Sequence, residues 1–313
     1  MIETLRQLLR PLRYAQRRRI GERLARRPSP LDADPGPPPG FIVGCGRSGT
    51  TILGKILQEH PQVCYLFEPY HLWAAVDPRT DATNLYHRTA AHMLMDAAMA
   101  DDSARLRFRR CILNQRILAE KPFLIEKTPH NAMRLGYLEA LAPGARYAHI
   151  VRDGVSVAGS ITKVAEDSHY KIAGRPRLNQ WWGEDDVKWR NLVRGGVAAG
   201  YYPDEVDRLS THAQRGAYEW LVSLHEVDKW RSILGDRLHE FTYEALLADG
   251  RTTLTDLARF FGLESPEHWL NTSVAMLGAG RTKARTIDLP PHMAEAFNAF
   301  QERYGFPGRA EAI

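Results

Sequence analysis

The chain has 313 residues, 44% of them hydrophobic and 25% charged, with a formal net charge of +5. That length suits one large α/β domain or two small ones, and no apolar run approaches the ~20 residues of a membrane span. The charge is uneven: residues 1–30 hold nine Arg against Glu3 and Glu22, a net of +7, so the remainder sums to −2 and gives the body no nucleic-acid-binding character.

Residues 1–27 form a basic arm. Leu5, Leu8, Leu9 and Leu12 fall at helical spacing, interrupted by Pro11. The pattern fits a solvated, frayed arm or a basic amphipathic helix resting on an anionic membrane or a partner. No uninterrupted apolar segment marks a secretory signal. The cysteines, Cys45, Cys64 and Cys111, are scattered and odd in number, which fits neither a disulfide framework nor a metal site. A cytoplasmic location is expected, with peripheral membrane contact through residues 1–27. Arg outnumbers Lys by 34 to 8, a composition typical of a GC-rich bacterial genome.

The prolines of residues 28–40 predict a linker or rigid lead-in. The folded domain is expected over residues 41–308. Within it short apolar runs alternate with helical stretches. "FIVGC" is the first strand, followed by a helix to about His60. "VCYLFE" (63–68) is the second strand, and a long helix is expected over about 84–119. "PFLIEK" (122–127), "RYAHIVR" (146–152) and "RLHEFTY" (237–243) complete about five strands. The alternation predicts an α/β fold: a central parallel sheet flanked by helices, in three layers. The last 60 residues read as helical. Residues 164–213, dense in Trp, Tyr and charge, break the rhythm and read as an acceptor-side insertion.

The first strand feeds "GCGRSGTT", in which Gly44 and Gly49 have phosphate-loop spacing. Gly44, Gly46 and Gly49 let successive N–H groups point inward, and the following helix N-terminus favours an anion. Ser48, Thr50 and Thr51 add hydroxyls, and Arg47 adds a permanent cation. The lysine that serves ATP and GTP enzymes is replaced by Thr50, which disfavours ordinary nucleoside-triphosphate chemistry.

This loop resembles the 5′-phosphosulfate loop of sulfotransferases that use 3′-phosphoadenosine-5′-phosphosulfate (PAPS), in the Arg-Ser-Gly-Thr-Thr form of the tyrosylprotein-type and bacterial members. The resemblance extends over residues 41–305. In "HIVRDGVSVAGSI" it implies that Arg152 and Ser160 grip the 3′-phosphate. In "FTYEALL" it implies that Tyr243 lies near adenine, with Ala245 where the family has Asp. In "GAGRTKARTID" it points to Arg281, Lys283 and Arg285 as closing the 3′-phosphate site, Lys283 first. Ile52 stands where cytosolic members stack a Trp on adenine.

The implied reaction moves a sulfuryl group by in-line displacement, releasing 3′,5′-bisphosphoadenosine (PAP), with no metal required. Gly46, Arg47, Ser48, Gly49, Thr50 and Thr51 would hold the phosphosulfate. An acceptor hydroxyl needs a base. Glu68 resembles the base of the tyrosylprotein-type members, and partial burial beside Phe67 and Trp73 would raise its pKa. His130 in "IEKTPHN" is the rival, displaced by Pro129 from the Lys-Thr-His spacing of the cytosolic members. Lys127 resembles the lysine that reaches the sulfate, and His71 reads as a bystander. The acceptor is expected to be a small molecule, glycan or lipid, and the protein a monomer or homodimer. Two other readings stand beside this one: an ATP-dependent kinase or nucleotidase using Asp153 as its magnesium ligand, and a non-catalytic nucleotide-binding module docked to membranes through the arm.

Overall fold

The computed structural model describes residues 10–87, 90–167, 178–278 and 285–313. Five parallel strands form its central sheet: β1 (Gly40–Val43), β2 (Val63–Phe67), β3 (Phe123–Lys127), β4 (Arg146–Val151) and, after a two-stranded hairpin of β5 (Leu178–Asn179) and β6 (Gly183–Glu184), β7 (Leu238–Thr242). The order is β2-β3-β1-β4-β7. This is the expected three-layer α/β architecture. The chain enters at β1, places β2 at one edge, returns with β3 between β2 and β1, then crosses β1 to β4 and β7. A crevice at the carboxyl ends of the strands, where such an order reverses, is the usual ligand site of open α/β sheets.

Alternation along the strands explains why both faces are covered. Ile42, Ile125, Ala148 and Ile150 pack on one face with helix α2 (Thr50–Gln58) and two helices near the C-terminus. Phe41, Val43, Leu124 and Tyr147 pack on the other with α3 (Tyr70–Val76) and the helical segment after Asp101. A third core joins Trp182 and Trp220 to α7 (Gly154–Glu166) and the 23-residue helix His212–Leu234.

The structure departs from the sequence reading or adds to it at three places. The first is the expected helix over 84–119, of which, among the described residues, only a 3-10 turn at Ala97–Met99, the helix Asp102–Phe108, a π-helical turn and Asn114–Leu118 are helical. The Asp81 carboxylate accepts from the N–H groups of Leu85, Tyr86 and His87, and buried Arg134 donates to the carbonyls of Thr80, His92 and Met93. These side chains satisfy backbone groups that a helix would otherwise have paired. The second is the C-terminal stretch, where β8 (Thr286–Leu289) pairs in parallel with β9 (Arg309–Ala312). The third is the start of the chain. Arg10–Arg26 form a helix in which Pro11 is the second residue, a position where its missing N–H costs nothing. Gly21 sits so close to α3 that a Cβ there would lie 2.6 Å from the His71 carbonyl oxygen. The lead-in is tied down as well: Arg110 pairs with Asp32, and Arg116 donates to the carbonyls of Pro35 and Pro37. No helix among the described residues is long and apolar enough to cross a membrane.

Candidate active site

The loop between β1 and α2 is shaped by three residues in left-handed or extended-positive backbone: Gly44 (φ 146°), Arg47 (φ 74°) and Gly49 (φ 95°). Arg47 is the unusual one, because a side chain disfavours that conformation. Gly49 has no room for a side chain either. A Cβ there would stand 2.3 Å from a ring carbon of Tyr243, so the tyrosine after β7 lies directly on the loop. Gly46 is covered in the same way by Trp181, whose ring would be 2.5 Å from a Cβ. Ser48 and Thr50 are buried, and the Ser48 hydroxyl has no partner among the described residues.

Arg152, at the end of β4, donates to the Arg47 carbonyl oxygen at 3.1 Å, and its guanidinium stands 4.8 Å from the Tyr243 ring centre. Ser160, on α7, accepts from Arg47 Nε at 2.9 Å. The structure thus gathers Arg47, Arg152, Ser160, Gly49 and Tyr243. Among the described residues no carboxylate forms an ion pair with Arg47 or Arg152. Asp153, the magnesium ligand of the ATP-using reading, is fully buried and engaged elsewhere. Its carboxylate accepts from the N–H of Ser156 (2.7 Å), the Gln301 amide (2.8 Å) and the N–H of Gly308 (3.1 Å). A cavity of about 270 Å³ opens here, lined by Arg47, Gly49, Thr51, Lys55, Arg152 and Tyr243. Lys55 escaped the sequence reading, although it follows Thr51 by four residues on the same helix face. Arg281 and Lys283 lie outside the described residues.

A second cavity, of about 400 Å³, adjoins the first across Arg47, Thr50 and Thr51 and brings in Glu68, Lys127 and His130. The β2–β3 register sets Phe67 beside Lys127, so the residue after β2 meets the end of β3. Lys127 Nζ donates to Glu68 Oε1, and the Glu68 N–H donates to the Lys127 carbonyl at 2.8 Å. Lys127 is 1% exposed; burial lowers its pKa, against the pull of the Glu68 carboxylate. His130 follows in a 3-10 turn, Pro129–Met133. Burial, with Lys188, Arg134 and Lys127 nearby, pushes its pKa well below the usual imidazole value, so the ring is neutral. Its Nδ1 has no partner among the described residues. His71 does not line this cavity; it packs near Tyr86, its pKa pushed down to about 4 by burial and Arg17.

Trp73 was expected beside Glu68. Its indole instead donates to Glu126 at 2.9 Å, on the far face of β3. Thr128 and Asn131 also donate to the Glu126 carboxylate, at 2.5 and 2.7 Å. Glu126 is fully buried, and burial raises its pKa to about 7 despite these hydrogen bonds. The sequence reading missed it. The signal was available: adjacent strand residues point to opposite faces, so Glu-Lys at the end of a buried strand must place one charge on the side away from the cavity.

The insertion supplies the remaining wall. Trp181 and Lys188 both line the second cavity. Glu219, 1% exposed, accepts from the Trp181 indole at 2.9 Å and from Lys188 Nζ at 2.8 Å. The Lys188 ammonium stands 4.0 Å from the centre of a Trp181 ring. Together the two cavities offer guanidinium groups that pair with no carboxylate among the described residues, with loop amides and hydroxyls that suit an anion. Beside them stand a carboxylate, an ammonium and a neutral imidazole that suit proton transfer from a hydroxyl.

Comparison with known proteins agrees with this geometry. The model of the sulfotransferase family matches residues 38–267. The nodulation protein NoeE of Sinorhizobium fredii is 32% identical over 136 residues, 42% of this chain and 32% of that protein, so the match spans about a third of the relative's length. Among solved structures, the sulfotransferase domain from the Synechococcus PCC 7002 olefin synthase aligns with a TM-score of 0.50 at 19% identity, over 86% of this chain and 95% of the other. The sulfotransferase STF9 from Mycobacterium avium aligns with a TM-score of 0.52 at 11% identity, over 90% of this chain and 81% of the other. At such identities these two speak for the fold alone. With a family model covering well over half of its length, the chain belongs to the sulfotransferase family.

Proposed function

We propose that the protein transfers the sulfuryl group of PAPS to a hydroxyl of a small-molecule, sugar or lipid acceptor. The observation that carries this reading is the pair of cavities meeting at Arg47, Thr50 and Thr51. One is walled for a nucleotide anion and the other holds the candidate bases, so donor and acceptor would meet across the loop. The fit of the donor rests on the Arg152–Tyr243 stack and on guanidinium groups that have no carboxylate partner among the described residues.

Bound PAPS would supply a sulfuryl group on a bridging oxygen that gains negative charge as it leaves. Arg47 and the loop amides are placed to stabilise that charge. Arg152 and Ser160 would hold the 3′-phosphate, and Tyr243 would pack against the adenine. Glu68 would take the acceptor proton, its other partner being the Lys127 ammonium. His130, neutral and with a free Nδ1, would contact the acceptor. The engagement of Asp153 by Ser156, Gln301 and Gly308 removes the magnesium ligand an ATP-using reading needs. The exposed arginines of the first helix, among them Arg13, Arg17 and Arg19, support peripheral contact with an anionic membrane in the cytoplasm.

The test is thermal stability with PAP, ADP and ATP–Mg²⁺ in parallel. A ligand at 100 times its Kd adds about 2.7 kcal/mol. The reading expects stabilisation by PAP that is lost in Arg152→Ala. Stabilisation by ATP–Mg²⁺ without any by PAP would overturn it.

A further inference from the structure

The Trp181 ring occupies the space a Gly46 side chain would need, its nearest ring carbons 2.5 and 2.9 Å from a Cβ built there. Trp181 belongs to the turn between β5 and β6, far from the loop in sequence. Its other contacts are fixed rather than loose. The indole N–H is held by Glu219, one ring face carries the Lys188 ammonium, and Asn179 Oδ1 accepts from the backbone N–H groups of Trp181 and Trp182 at 2.8 and 2.9 Å. Lys188 and Glu219 are both almost fully buried and paired with each other, which makes this anchor costly to break. Trp181 is only partly buried and lines the acceptor-side cavity. One side chain therefore touches the anion-holding loop and walls the acceptor chamber.

We propose that Trp181 is a positioning residue that joins the acceptor wall to the donor loop, so that a nucleotide held by the loop steadies residues 178–188. The inference rests on the donor reading above. Its mechanism is steric: Gly46 offers no side chain of its own, so any inward tightening of the loop around an anion is felt by the indole stacked on it. Glu219 and Lys188 pass that constraint to the start of the helix Val187–Ala198. The acceptor wall is then firmer when the donor is in place, which favours donor-first binding.

Hydrogen exchange tests this without an acceptor. Amide exchange of residues 178–188 is followed by mass spectrometry with and without saturating PAP, in the wild type, Trp181→Ala and Trp181→Phe, with PAP affinity measured by calorimetry in each. The expected result is slower exchange of that segment in the wild type. At PAP concentrations that saturate each variant, Trp181→Ala should abolish the slowing, and Trp181→Phe should retain part of it. PAP binding with unchanged exchange in the wild type, or slowing that survives in Trp181→Ala, overturns the inference and leaves the donor reading intact. A wild type that does not bind PAP overturns the donor reading and this inference with it.

Discussion

Arg47 Nε donates to Ser160 Oγ at 2.9 Å, across 113 residues of sequence. The loop arginine is thus oriented by the helix that follows β4. A guanidinium hydrogen-bonded by a hydroxyl is held in one rotamer before any ligand arrives, which lowers the entropy cost of gripping an anion. Ser160→Ala should weaken PAP binding by roughly ten- to hundredfold, the value of one charge-assisted hydrogen bond. Calorimetry with PAP checks this. An affinity within twofold of the wild type would show that Ser160 is a bystander.

The Lys127–Glu68 pair yields a second prediction. If Glu68 accepts the hydroxyl proton, Glu68→Gln should lower kcat by roughly 10²–10⁴-fold, with PAP affinity nearly unchanged. His130→Gln should cost less than tenfold. Because burial and nearby cations already keep His130 neutral, replacing it should leave the acid limb of the pH–rate profile where it is. Steady-state kinetics with the first acceptor found decides between them; full kcat in Glu68→Gln would transfer the role of base to His130.

Glu126 predicts a pH dependence of stability. Its pKa rises from 4.5 unfolded to about 7 folded. A raised carboxyl pKa means the folded state binds the proton more tightly. The contribution is complete below pH 4.5 and is lost as pH rises through about 7, a loss of about 3 kcal/mol at most. Glu126→Gln should flatten that decline between pH 5 and 8 in chemical denaturation. Asn131 Oδ1 has no partner among the described residues, so a flipped Asn131 amide could accept from the new glutamine. A decline of the same depth in the variant would remove Glu126 as its source.

Gly49→Ala tests the loop itself. The backbone there has φ 95°, and the new Cβ would meet the Tyr243 ring at 2.3 Å. The conformation alone costs on the order of 1–2 kcal/mol, and the displaced ring would leave Arg152 without its stacking partner. The melting temperature should fall, and PAP-induced stabilisation should vanish. Gly49→Ala combined with Tyr243→Leu should recover part of the melting temperature and none of the PAP response.

The parallel sheet and the loop were legible in the sequence because both rest on local signals: strand-length apolar runs, and glycines at fixed spacing. Arg152 and Ser160 were singled out by the family resemblance, and the structure links both to Arg47 from one strand–helix unit. What stayed hidden depends on contacts between distant segments. Residues 84–100 looked helical by composition, yet Arg134 takes three of the carbonyls there and at Thr80. Trp73 looked like a neighbour of Glu68, but its helix covers the other face of the sheet, where the pleat of β3 points Glu126. Lys188 and Glu219 are 31 residues apart, and neither carries a motif that would announce a buried pair.

The bonds from Gln301 and Gly308 to Asp153 carry a consequence of their own. Arg152 precedes Asp153, and the turn that aims its guanidinium is braced by residues near the far end of the chain. Gln301 also accepts from the Gly154 N–H at 2.9 Å. Residues 301–313 line neither cavity, but Gln301 and Gly308 act as a keystone for the turn that carries Arg152. A chain cut after residue 300 would lose both bonds to the Asp153 carboxylate, and a buried anion without donors would pull the Arg152 turn out of place.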